Sequence, residues 1–142
     1  MDLSITSTST GGSDKTWLAS DHGLSNALPR TLDVTKFVSG VHYDAATKVL
    51  KSGIAIAKIT AGGLYGPYDT TATDGRQTAY DSFTAVEVPL LLANGATSAK
   101  VAVAVVRHAI INTPALPVAA QRAGGASDVT TGATSGDFVF ES

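Results

Sequence analysis

A mainly β domain with little helix is what this sequence predicts. Short runs recur in which β-branched or apolar residues alternate with polar ones. Between them stand glycines, prolines and the pairs Asp74-Gly75 and Asn94-Gly95, residue types that turn a chain. The 142 residues suffice for one domain with a real core and are too few for two ordinary ones.

The elements follow in order. Residues 1–16 are rich in Ser and Thr with an adjacent glycine pair. They bury too little to offset the entropy of ordering, so they read as a flexible arm. "TWLASDHGLSNALP" (Thr16–Pro29) holds the single Trp, with Leu18, Leu24 and Leu28 nearby. It reads as an amphipathic turn or semi-ordered segment ended by Pro29. "TLDVTKFV" (Thr31–Val38) alternates Leu32 and Val34 with Thr31, Asp33 and Thr35 and reads as a strand. Ser39–Gly53 reads as turn, short strand and turn. "IAIAKIT" (Ile54–Thr60) is a strand with Ile54, Ile56 and Lys58 on one face and Ala55, Ala57 and Ile59 on the other.

Gly62 and Gly63 take positive φ at little cost and suit a hairpin after that strand. Gly66-Pro67 reads as a second break and Asp74-Gly75 as a turn. "YDSFTAVEVPLLL" (Tyr80–Leu92) is strand-like, with Pro89 at an edge or bulge. "AKVAVAVVRHAII" (Ala99–Ile111) has the strongest β signal; its alanines permit a helix, but its four valines argue against one. A helical turn is expected over Leu116–Ala123, and "GDFVFES" (Gly136–Ser142) alternates Phe138 and Phe140 as a sheet-closing strand would. The division expected is a flexible N-terminal arm, 1–30, and a β-rich body, 31–142.

Composition narrows the function. The net charge is −2 and offers no basic face, so phosphate-backbone binding to DNA or RNA is disfavoured. Charged residues make up only 15%, which fits a surface largely covered by partners better than a bare monomer. The absence of cysteine excludes disulfides, thiolate catalysis and cysteine zinc sites. The N-terminus has no basic and apolar signal-peptide regions. The longest apolar run is broken by Arg107 and His108 and is too short and polar to span a bilayer, so no membrane partner is expected.

Catalytic and ligand-binding patterns are weak. His22, His42 and His108 are the histidines, and no G-x-S-x-G elbow accompanies them. Asp21 adjoins His22, but chain neighbours seldom face each other usefully. "DTTATDG" (Asp69–Gly75) has an acidic residue at its sixth position, where an EF-hand needs glycine. "GGLYGPYD" lacks the Lys-Ser/Thr of a Walker loop and the glycine spacing of a dinucleotide fingerprint. No enzyme activity, cofactor or metal is expected, and the glycines read as turns between strands.

The order of segments resembles the head decoration proteins of tailed phages, the lambda-type family that caps the capsid exterior. The resemblance is carried by "TLDVTKF" (Thr31–Phe37), "VHYD" (Val41–Asp44), "SGIAIAKITAGGLYGPYD" (Ser52–Asp69), "TDGRQTA" (Thr73–Ala79), "VRHAII" (Val106–Ile111) and "LPV" (Leu116–Val118). "WLASDHG" (Trp17–Gly23) is a further match in the arm. Two departures stand out: Ile54-Ala55-Ile56-Ala57 replaces a stretch that often carries proline and glycine, and Thr70 replaces a proline after "YD".

The resemblance implies a compact β-tulip-like domain that forms a homotrimer at threefold and quasi-threefold points of the expanded shell. It implies the major capsid protein as partner, the outer surface of the virion as location, and no catalytic residues. The arm, with Trp17, Leu18, Leu24 and Leu28 as apolar anchors, would add a strand to the shell. Three arms per trimer would raise avidity by roughly 10²–10⁴ and oppose the pressure of packaged DNA. The competing reading is a β-rich carbohydrate-binding module of a phage tail or fibre, which needs exposed aromatics in a groove. Only nine aromatics occur, and they are scattered.

Overall fold

The computed structural model describes residues 15–20 and 27–142. The expected arm residues 1–14, and 21–26 with Leu24 and His22, lie outside the described residues. The fold is mainly β, and helical geometry among the described residues is confined to short 3₁₀ turns.

Five strands close a barrel in the order β1 (Leu28–Asp33), β4 (Tyr65–Pro67), β3 (Ala55–Lys58), β5 (Ser82–Thr84) and β7 (Lys100–Val106). β1 runs antiparallel to β7 from Leu28↔Val105 to Asp33↔Lys100 and meets β4 in parallel at Leu32↔Tyr65. β2 (Val49–Leu50) and β6 (Val88–Pro89) form a small ladder, and β8 (His108–Asn112) pairs in parallel with β9 (Asp137–Glu141).

β3 explains the arrangement. Its alternation sorts isoleucines from alanines, and both sets are buried because this strand is a wall between two cores. Ile54 and Ile56 join Leu32, Leu50, Leu90, Val103 and Val105 in one cluster. Ala55 and Ala57 face the other, with Trp17, Tyr80, Phe83, Ile111 and Val129. Small residues on that side leave room for aromatic rings: Phe83 lies 5.9 Å from Trp17, 5.7 Å from Tyr80 and 4.9 Å from Phe138.

Several expected boundaries shift. The first strand starts at Leu28, runs through Pro29, and gives way to a 3₁₀ turn at Val34–Lys36. Pro29 does not end a segment; it sits opposite Ala104 in the ladder. The long run Ala99–Ile111 is two strands, not one. A bend at Arg107 divides them; its guanidinium lies 3.5 Å from Asp81 and donates to the Ser135 carbonyl at 3.0 Å. Leu116–Ala123 holds a 3₁₀ turn at Ala119–Gln121, preceded by another at Thr113–Ala115.

Candidate functional site

Trp17 is 1% exposed and belongs to the body. Its indole Nε1 donates to Ser52 Oγ at 3.1 Å. Its carbonyl accepts from the Asn112 N–H at 2.7 Å, and the Ala19 N–H donates to the Ile110 carbonyl at 3.0 Å. With the antiparallel bridge Leu18↔Ile111, this stretch lies along β8 as a short third strand. Gly53 makes the fit: its φ is +88°, and a Cβ there would stand 2.7 Å from the indole. The expectation that Trp17 fills a pocket on a partner is therefore corrected. A large ring beside a glycine and a row of alanines gains more by filling that space than by facing water. The division at residue 30 is corrected likewise, since 15–20 and 28–30 are built into the body. Leu18 is half-buried, and Leu28 keeps 40% of its surface.

The remaining sequence-assigned positions lie on or beside the β3–β4 hairpin. Gly62 and Gly63, both at positive φ, sit at the tip of the β3–β4 hairpin closed by the Ile59 N–H to Leu64 carbonyl bond. Gly66 and Pro67 are not a break: they are strand residues of β4, paired with Ala57 and Ile56. Asp74 and Gly75 form a turn fastened to the wall. The Thr60 N–H donates to the Asp74 carbonyl at 2.9 Å, and Gly75 has φ +108° with no room for a Cβ beside Thr60. Arg76 grips the Asp74 carboxylate through Nε at 3.0 and 3.1 Å and donates from Nη1 to the Pro67 carbonyl at 3.0 Å. Burial alone would raise the Asp74 pKa, but the Arg76 hydrogen bonds and charge outweigh it and hold the carboxyl below its ordinary value.

Beside this turn lies a recess of about 300 Å³ lined by Lys36, Val38, Val41, His42, Arg76 and Val118 among others. His42 is buried and neutral. Its Nδ1 accepts the Val38 N–H at 2.9 Å, and its ring meets Phe37 edge-on. Burial first, then the charges of Lys51 and Arg76, press its pKa down to about 4. Asp69, on the same wall, is held below its ordinary value by the Thr71 hydroxyl that donates to it. Behind them the buried Gln121 closes the seam between the 3₁₀ turn and β3. Its Oε1 accepts the Ala55 N–H at 2.9 Å, and its Nε2 donates to the Ala55 and Tyr68 carbonyls at 3.0 and 3.2 Å. Sequence reasoning missed Gln121, because nothing local marks a glutamine as the partner of a strand 66 residues away.

These groups are held in place by one another. The recess wall sets a neutral imidazole and valines beside the charged Lys36, Asp69 and Arg76. Exposed aliphatic side chains stand here and elsewhere: Val38 and Val41 at the recess, Leu91 and Leu92 before the Asn94-Gly95 turn, and Val139 on β9. All nine aromatic side chains are buried or half-buried. Among the described residues no group of three or more His, Asp or Glu is placed to hold a metal. No helix among them is long and apolar enough to cross a membrane. Comparison with protein-family models, with curated proteins and with solved structures returned no match.

Proposed function

We propose that this chain is a capsid decoration protein of a tailed phage. It binds the outer face of the expanded head as a homotrimer at threefold and quasi-threefold positions and braces the major capsid protein against internal DNA pressure. One observation carries the reading. Parts of the segments through which the chain resembles that family are neighbours in space: Thr31–Asp33 in β1, Tyr65–Pro67 in β4 and Ala55–Lys58 in β3 are consecutive in the barrel, with the Asp74-Gly75 turn fastened at Thr60 beside β3. The sparse charge and the exposed Val38, Val41, Leu91 and Leu92 suit a surface that other proteins cover.

The burial of Trp17 narrows the arm. The shell-binding leader in this proposal is Met1–Asp14, with Leu28 the one expected anchor of the body that stays exposed. The carbohydrate-binding alternative finds less support, because sugar stacking needs a groove of fully exposed rings and all nine aromatics are buried or half-buried. The reading assigns no catalysis, cofactor, nucleic acid or membrane.

Mixing purified protein with undecorated heads, before and after expansion, tests the proposal. Electron cryomicroscopy is expected to show density at threefold points of expanded heads only, and mass photometry to show trimers. A monomer that leaves both shells bare refutes it, and equal binding to both shells refutes the preference for the expanded state.

A further inference from the structure

β9 is a regular, unbulged five-residue edge strand. Each residue from Asp137 to Glu141 has a partner on β8, and among the described residues nothing pairs with its outer side. Its hydrogen-bond parity is fixed at both ends. The Asp137 N–H donates to the Arg107 carbonyl at 2.8 Å, and the Glu141 carbonyl accepts the Thr113 hydroxyl at 3.1 Å. Asp137, Val139 and Glu141 therefore turn their backbone groups toward β8, and Phe138 and Phe140 turn theirs outward. The side chains divide the other way: both phenylalanines are half-buried, while Asp137, Val139 and Glu141 face solvent. Val139 is 57% exposed, more than the other large exposed aliphatics.

Edges are commonly blunted by proline, lysine, bulges or shortness. β2 and β6 are two residues long and include Pro89, and the stretch of β1 beyond its contact with β4 contains Pro29. β9 has only its two carboxylates. We propose that this edge receives an extended segment of another protein that carries an aliphatic residue flanked, two positions away on each side, by Lys or Arg.

Charge selects the occupant. A second β9 laid antiparallel about Val139 would set Asp137 against Glu141 twice, and like charges directly opposite destabilise a ladder. The sequence contains no Lys/Arg-x-aliphatic-x-Lys/Arg run, so another copy of this chain cannot supply the complement. A segment from a different protein can place its cations opposite Asp137 and Glu141 and its aliphatic side chain opposite Val139. That central pair is a non-hydrogen-bonded one, where side chains approach most closely. His108 Nε2 is 3.6 Å from Asp137, yet the aspartate side chain stays 85% exposed and open to such a cation. The inference does not rest on the decoration reading.

Titration of the ¹⁵N-labelled full chain with the capped peptide TKTVTKT tests it. Shift changes are expected at residues 137–141. Amide exchange should slow at Phe138 and Phe140 and stay unchanged at Val139, whose N–H already faces β8. The peptide TETVTET should bind about tenfold more weakly or worse. N-methylation of the two threonines beside the valine should abolish binding, and the double variant Asp137→Lys, Glu141→Lys should reverse the charge preference while keeping the wild-type circular dichroism spectrum. Equal binding of the two peptides, or shifts away from β9, overturns the proposal. So do Phe138 and Phe140 amides already protected without peptide, because the edge would then be occupied.

Discussion

Replacing Trp17 by alanine separates a residue of the core from a residue of a docking arm. The side chain is 1% exposed, stacks on Phe83 and holds Ser52. An indole buries about 150–250 Å². At about 25 cal/mol per Å² that is about 4–6 kcal/mol, an upper figure because denatured chains already hide part of it. Measured truncations of this kind cost about 3–5 kcal/mol, which is the loss expected here. The assay is urea unfolding of the isolated protein followed by far-UV circular dichroism, since the substitution removes the only Trp. Gly53→Ala provides the control. Its new Cβ collides with the indole, so its penalty should shrink by about 1 kcal/mol or more when Trp17 is already alanine. A Trp17→Ala midpoint equal to wild type, or Trp17 fluorescence quenched by acrylamide as freely as a model indole, would refute the reasoning.

Four further outcomes follow. His42 binds a proton with ordinary affinity only when unfolded, so its contribution to stability is complete above pH 6.5 and is lost as pH falls toward about 4. The loss has a ceiling of about 3 kcal/mol, and a pH series of urea midpoints should flatten over that window in His42→Asn. Gln121→Leu takes its partner from the Ala55 N–H and the side-chain donor from the Tyr68 carbonyl, while the Ala55 carbonyl keeps the Tyr68 N–H, and should cost about 1–3 kcal/mol by the same assay. Gly75→Ala meets both a positive φ and Thr60 and should destabilise by at least about 1 kcal/mol in thermal melts. Leu91→Ser with Leu92→Ser should leave the unfolding midpoint within about 0.5 kcal/mol of wild type, while trimer mass or shell occupancy falls. Unchanged assembly would take that loop out of the proposed interface.

What local chemistry governs was legible in the sequence: the β class, a strand within Ile54–Thr60 that the fold trims to Ala55–Lys58, the hairpin at Gly62-Gly63 and the Asp74-Gly75 turn. Side-chain alternation and the φ freedom of glycine act over a few residues, so a few residues suffice to read them. Tertiary structure alone decided that Trp17 is core, that Pro29 is inside a strand, that Gly66-Pro67 pairs instead of turning, and that Arg107 splits β7 from β8. It also made Gln121 the seam of the barrel. Each of these is settled by a partner 26 or more residues away or by a neighbouring strand, as with Trp17 and Ser52 or Gln121 and Ala55. A sequence window sees an apolar ring or a polar amide; only the closed barrel supplies the cavity that ring fills and the backbone groups that amide satisfies.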